Sequence, residues 1–210
     1  MIDEKTARET VILAADELFY ARGVQAVGMD AVRTAAGVSL KRIYSLFASK
    51  DDLIVAVLHR RTTIWDSGLA AASGRATSAR ERILATFDFL DAWFREPEFR
   101  GCAFINTHGE LGASSTAVAD AVREQKRSFQ EYMARLVADS GAPAVLAPQL
   151  AILAEGAQTT AAIAGTPDAA LQARAAAETL LDAATGRSER ASVAAVPGSS
   201  AVPAAGSVEG

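Results

Sequence analysis

Residues 36–50 read AGVSLKRIYSLFASK, and the order of residue types in that run decides the fold. Just before it, Met29, Val32 and Ala36 recur on one face of a short helix. Gly37 can take the left-handed backbone that ends such a helix, and Ser39 can cap a new one starting at Leu40. Two short helices joined by a three-residue glycine turn make a helix-turn-helix. In the second, Leu40 to about Phe47, Ile43 and Phe47 stand one turn apart and face inward. Leu40, Lys41, Arg42, Tyr44 and Ser45 are then left on the outer face.

No acidic residue occurs from Ala31 to Lys50, whereas Arg33, Lys41, Arg42 and Lys50 are basic. The 210-residue chain carries a formal charge of −4, so contact with nucleic acid has to come from such a local patch. Arg42 has the planar fork that matches guanine O6 and N7, and Lys41 reaches guanine or a phosphate. Tyr44 carries a hydroxyl on a rigid arm, suited to a phosphate oxygen. Ser39 leaves free N–H groups and a partial positive charge at the start of its helix. Lys50 opens the following helix, where the dipole and the ammonium act on one phosphate. The plainer alternative is a solvated basic face; the joint register of turn, caps and aromatic spacing favours DNA.

Outward from this run the periodicity stays helical. A first helix spans about Glu4 to Arg22, with Ala7, Val11, Ala14, Ala15, Leu18 and Phe19 at helical spacing and Gly23 as its stop. Ser49 opens a fourth helix, with Asp52 placed as its capping partner; Leu53, Ile54, Val57, Leu58 and Trp65 follow. Further helices are expected at about 78–95, 98–111, 115–141, 143–164 and 168–184. The class is therefore all-α with about nine helices: a helix-turn-helix domain over 1–48, a helical bundle over 49–185 and a disordered tail over 186–210. That tail has no aromatic residue and too little apolar area to offset its ordering entropy. Half the chain is hydrophobic, enough for a sizeable core. The lone Cys102 excludes an internal disulfide, the polar start MIDEKTARET is unlike a signal peptide, and no apolar run suits a membrane span. A cytoplasmic protein is expected.

The run GVQAVGMDAVRTAAGVSLKRIYSLFASKDDL resembles the N-terminal domain of TetR-family transcriptional regulators. The matching positions are Gly23, Gly37, Val38, Ser39, Tyr44, Phe47, Ser49 and Lys50. RGCAFINTHGEL, residues 100–111, is similar to a segment of many actinobacterial-type members. The family usually has a hydroxyl residue opening the second helix and often a histidine before the phenylalanine. Here Val27-Gly28 and Leu46 stand there, so a backbone N–H at Gly28 or Met29 is left to make the first contact. The resemblance implies a C-terminal domain that binds a small-molecule effector and forms a homodimer on a palindromic operator, most often as a repressor released by its ligand. It implies no cofactor.

For the effector pocket the candidates are Trp65, Phe87, Trp93, Phe104, His108, Gln125, Phe129 and Met133, with plain core packing the alternative for each. They suit an apolar ligand. His108 shares a helical face with Phe104, Ile105 and Leu111, so it is expected to point inward, while Asn106, Thr107 and Glu110 fall on the opposite side. For the dimer, the alanine-rich last two helices offer Leu150, Leu153, Ala157, Ala161, Leu171 and Leu180. Two rivals stand beside this reading. One is a small helical enzyme acting on an apolar ligand; no phosphate loop, zinc cysteine pair or nucleophile elbow supports it. The other is a protein-interaction module that uses the basic helix.

Overall fold

A computed structural model describes residues 3–194, with side chains as far as 184. Among these residues there are nine α-helices and no strand. They are α1 (Glu4–Arg22), α2 (Met29–Ala36), α3 (Leu40–Leu46), α4 (Lys50–Ser73), α5 (Ala79–Phe94), α6 (Ala103–Leu111), α7 (Thr116–Asp139), α8 (Leu146–Ala164) and α9 (Asp168–Ala194). None is long and apolar enough to cross a membrane.

Hydroxyl and carboxylate caps set most of the starts. Asp3 accepts the Thr6 N–H at the head of α1, and Ser39, Ser49 and Ser115 cap α3, α4 and α7. Ser78 and Glu81 form a reciprocal capping box on α5. Gly37 ends α2 at φ +66°, a backbone that a Cβ would strain, and this turns α3 across α2.

Apolar residues collect in two clusters. One holds α1, α2, α3 and the first half of α4, closed by Cys102 just before α6 and by Phe104, Val118 and Val122 from α6 and α7. The other holds Trp65 and Leu69 of α4 with α5, the rest of α7, α8 and α9. The expected boundary at 48/49 falls at the cap of α4, and the first cluster continues across it. Helix α4 thus runs through both clusters without a break. Asp16 on α1 ties it down further, accepting hydrogen bonds from Arg60 at 3.0 Å and from Arg61. The Arg61 guanidinium also lies 3.9 Å above the Tyr20 ring.

Several helix ends differ from the sequence expectation. Helix α6 starts at Ala103 rather than near Glu98, because residues 95–102 fold into turns closed by Glu96 N–H to Trp93 O and Phe99 N–H to Glu96 O, then a left-handed Gly101. Helix α8 starts at Leu146 rather than Pro143, since its approach is tightened by bonds from Leu146 and Ala147 to carbonyls three residues back. Helix α9 continues through Ala194, past the expected end near 184; the rest of the expected tail, 195–210, lies outside the described residues.

The carboxylate of Asp16 is largely buried, so deleting its charge leaves two arginines facing a neutral group. Asp16→Asn is expected to destabilise the fold by about 3 kcal/mol, read as a lower denaturant midpoint with an unchanged slope.

Candidate functional site

The outer face of α3 is formed as its caps dictate. The Ser39 hydroxyl accepts the Arg42 N–H at 3.1 Å, Ile43 and Phe47 are buried, and Lys41, Tyr44 and Ser45 are exposed. Leu40 and Arg42 are half-buried at the same surface. The Ser45 hydroxyl is engaged within the helix, donating to the Arg42 carbonyl at 2.7 Å. Arg33 on α2 is drawn toward Asp30 at 3.2 Å, so part of its charge is compensated. The Lys50 ammonium stands 5.9 Å from the Phe19 ring. Among the described residues Lys41, Arg42 and Lys50 make no ion pair, so one short helix is flanked by three cations without a carboxylate partner, Lys41 exposed and Arg42 and Lys50 half-buried.

The two departures from the family pattern have physical content. Leu46 is half-buried and packs on the first cluster, so this position serves the core. Val27 is buried, and Gly28 caps α2 with no side-chain bond; open space surrounds the place of a Cβ there.

A contact that sequence reading missed holds this unit to the rest of the chain. Glu110 of α6 accepts the N–H groups of Val24 at 3.2 Å and Gln25 at 2.8 Å, and its own carbonyl accepts from the Gln25 side chain. Gly23 has φ +86°, a backbone that side chains rarely adopt, and the Glu110 carboxylate comes within 2.9 Å of where a Cβ would stand, so any other residue there is strained. Beside it, Tyr20 of α1 accepts the Arg100 N–H and donates to the Gly101 carbonyl, both at 2.9 Å. Burial pushes the Tyr20 phenol upward from its ordinary range, which keeps that donor proton in place.

Behind this junction lies a cavity of about 640 Å³, within the size range of small-molecule sites. Trp65, Trp93, Phe104, Gln125 and Phe129 line it, joined by Tyr20, Arg61, Phe89, Cys102, Lys126 and Gln158. Glu17, Glu96, Glu98 and Arg100 also line it and are exposed. Three of the expected pocket residues are elsewhere. Phe87 and Met133 are fully buried in the second cluster. His108 is exposed, its ring lying over Gly112, because α6 buries the stripe of Phe104 and Thr107 instead. The wall is also less apolar than expected: Lys126 reaches Glu155 at 3.6 Å and the Cys102 sulfur at 3.6 Å within it.

The last two helices likewise divide the expected dimer residues. Leu150, Ala157 and Ala161 are buried inside the second cluster and cannot meet a partner. Leu153 and Leu180 are half-buried and Leu171 is exposed. The most exposed apolar side chains here are Ile152, 70% exposed, and Ile163, 83% exposed, with Ile152, Leu153 and Leu180 lining an open groove between α8 and α9. Periodicity on an alanine-rich helix does not say which of two apolar stripes a neighbouring helix will take.

Two family models match the chain. Residues 11–57 match bacterial regulatory proteins of the tetR family, and residues 79–177 match the tetracyclin repressor-like C-terminal domain. Among solved structures, a tetr-transcriptional regulator from Streptomyces avermitilis (sav143) is 31% identical, with 85% of this chain and 98% of that chain covered and a TM-score of 0.74. SCO4454, a TetR-family transcriptional regulator from Streptomyces coelicolor, is 27% identical, with 85% and 95% covered and a TM-score of 0.78. The HTH-type transcriptional activator FasR of Mycolicibacterium smegmatis is 39% identical over 88 residues. That match takes in 40% of this chain and 40% of the length of that relative. The helix-turn-helix at one end, the helical domain at the other and these matches agree: the chain belongs to the TetR family, a DNA-binding transcriptional regulator and not an enzyme.

Proposed function

We propose that the protein is a homodimeric repressor that releases a palindromic operator when a small molecule enters the 640 Å³ cavity. One observation carries this reading: the segment Arg100–Phe104 lines the cavity and is hydrogen-bonded to Tyr20 of the DNA-binding unit. A ligand pressing on that segment therefore presses on α1. Helix α4 gives a second path, since Arg61, Ile64 and Trp65 line the cavity and Lys50 begins the same helix. Fifteen residues of helix separate Lys50 from Trp65, about 22 Å, so a tilt of about 6° moves the far end by roughly 2 Å. Two recognition helices must sit about 34 Å apart to read successive major grooves, and such a displacement spoils that fit.

On DNA, Arg42 and Lys41 read base edges; Tyr44, Lys50 and the free N–H groups at Ser39 and Gly28 take phosphates. Arg33, Leu40 and Ser45 complete the surface. Ile152, Leu153, Ile163, Leu171 and Leu180 of α8 and α9 meet their counterparts across a two-fold axis. The ligand must bind the DNA-free arrangement more tightly, and operator then weakens ligand binding by the same factor. A second reading, activation, has the partial match to the activator FasR in its favour. Transcription from a template carrying the bound site separates the two: addition of the protein lowers the transcript if it is a repressor and raises it if it is an activator.

Three outcomes are expected, with operator affinity read on a site selected from randomised duplexes. Arg42→Ala costs about 1–3 kcal/mol at one base pair and flattens the preference there, whereas an equal loss on every sequence makes Arg42 a phosphate clamp. Ile152→Glu places charges in the two-fold contact; sedimentation then shows monomer, and operator affinity falls with it. Glu110→Ala frees the Val24 and Gln25 amides, which lose hydrogen-exchange protection and cost about 1–2 kcal/mol of local stability.

A further inference from the structure

We infer that the cavity takes a neutral aromatic molecule bearing a phenol or carboxamide, with that polar group buried against Gln125 and Trp65. The inference rests on the cavity being the effector site proposed above. Gln125 of α7 is only 4% exposed, yet among the described residues its amide makes no hydrogen bond, and its Oε1 is buried without a partner. The Trp65 indole N–H of α4, in a residue 9% exposed, is likewise unpartnered. Native proteins rarely leave such groups unsatisfied, and both stand on the wall of one cavity. Phe129, one turn beyond Gln125, sets its ring 5.4 Å from that of Trp65, so α7 and α4 bring the two orphan groups onto neighbouring walls.

The deep charges are already answered. Lys126 faces Glu155 at 3.6 Å, and Arg61 is bonded to Asp16. The Gln158 amide donates to the Ala154 carbonyl at 3.2 Å. Among the residues that line the cavity, the buried groups left without a hydrogen bond are neutral, an amide and an indole N–H; Glu155 Oε1, also without one, lies outside the lining, 3.6 Å from the Lys126 ammonium. A hydroxyl both donates and accepts, so it satisfies Gln125 with its amide either way round and can also accept from Trp65. The flat, ring-lined walls supply the rest: Trp65 meets Phe89 and Trp93 edge-on at 5.4 and 5.8 Å, presenting faces and edges that suit another aromatic ring. Both orphan atoms expose almost no surface, so a bare hydrocarbon in the cavity leaves them unpaired, whereas a phenol seated against them supplies the missing bonds.

The test compares 2-naphthol with naphthalene by equilibrium dialysis against the full chain and its Gln125→Leu and Trp65→Phe variants. At least a tenfold preference for 2-naphthol is expected, shrinking to within twofold in Gln125→Leu and narrowing in Trp65→Phe, while naphthalene binding is little changed. Equal affinity for the two probes, binding of neither, or a preference that survives in both variants overturns the inference. Gel shifts of operator in the same samples separate the two claims. Preferential 2-naphthol binding with operator retained supports the ligand class and counts against the effector role. Salt-dependent operator binding without the preference overturns the ligand class and leaves the DNA reading standing.

Discussion

Helix α4 is the constraint on which the rest of the molecule depends. Its first half is buried with α1, α2 and α3, and its second half with α5, α7, α8 and α9. A continuous helix transmits rotation as a rigid body, because bending it means breaking a ladder of backbone bonds. The Asp16 carboxylate, reaching from α1 to consecutive arginines of α4, fixes the roll of α4 against the DNA-binding unit. The same Arg61 covers Tyr20 and borders the cavity. Trp65 on the cavity wall and Lys50 beside the outer face of α3 thus stand on one unbroken helix.

Helix α6 and the turns before it supply a second joint of a different kind. Here the links are polar and local: Glu110 on the α1–α2 loop, Tyr20 on the 100–101 backbone. Such bonds are directional, so a small shift of α6 breaks them where an apolar contact would merely slide. A stiff apolar lever and a brittle polar clamp converge on one three-helix unit. That arrangement suits the proposed ligand-driven release, since packed cores tolerate discrete rearrangements better than continuous deformation.

The cavity shows why residue type alone misleads. Phe87 and Phe129 are both aromatic and buried, yet only Phe129 borders the void. Tyr20, Arg61 and Lys126 border it too, from α1, α4 and α7, though none of them is among the expected pocket residues. Glu110 falls on the side of α6 opposite Phe104, Ile105 and Leu111, and nothing near it in the chain points to a partner. Its partners are backbone N–H groups 85 and 86 residues away. His108 carried the opposite error: shared spacing with Phe104 pointed it inward, but the buried stripe of α6 runs through Thr107.

What is local could be read from the order of residues. Helix type, the caps at Ser39 and Ser49, the left-handed turn at Gly37 and the inward pair Ile43 and Phe47 follow from interactions within a few residues, which the order of residues contains in full. The uncompensated charge of Lys41 and Arg42 was legible for the same reason, because no carboxylate lies near them in the chain. Tertiary structure alone decided which stripe of α8 is core and which is surface, where α6 begins, which aromatic rings surround space, and which polar groups are left without a partner in it. Each of these depends on what the rest of the chain places opposite a side chain, and burial and hydrogen bonding are properties of both sides of a contact.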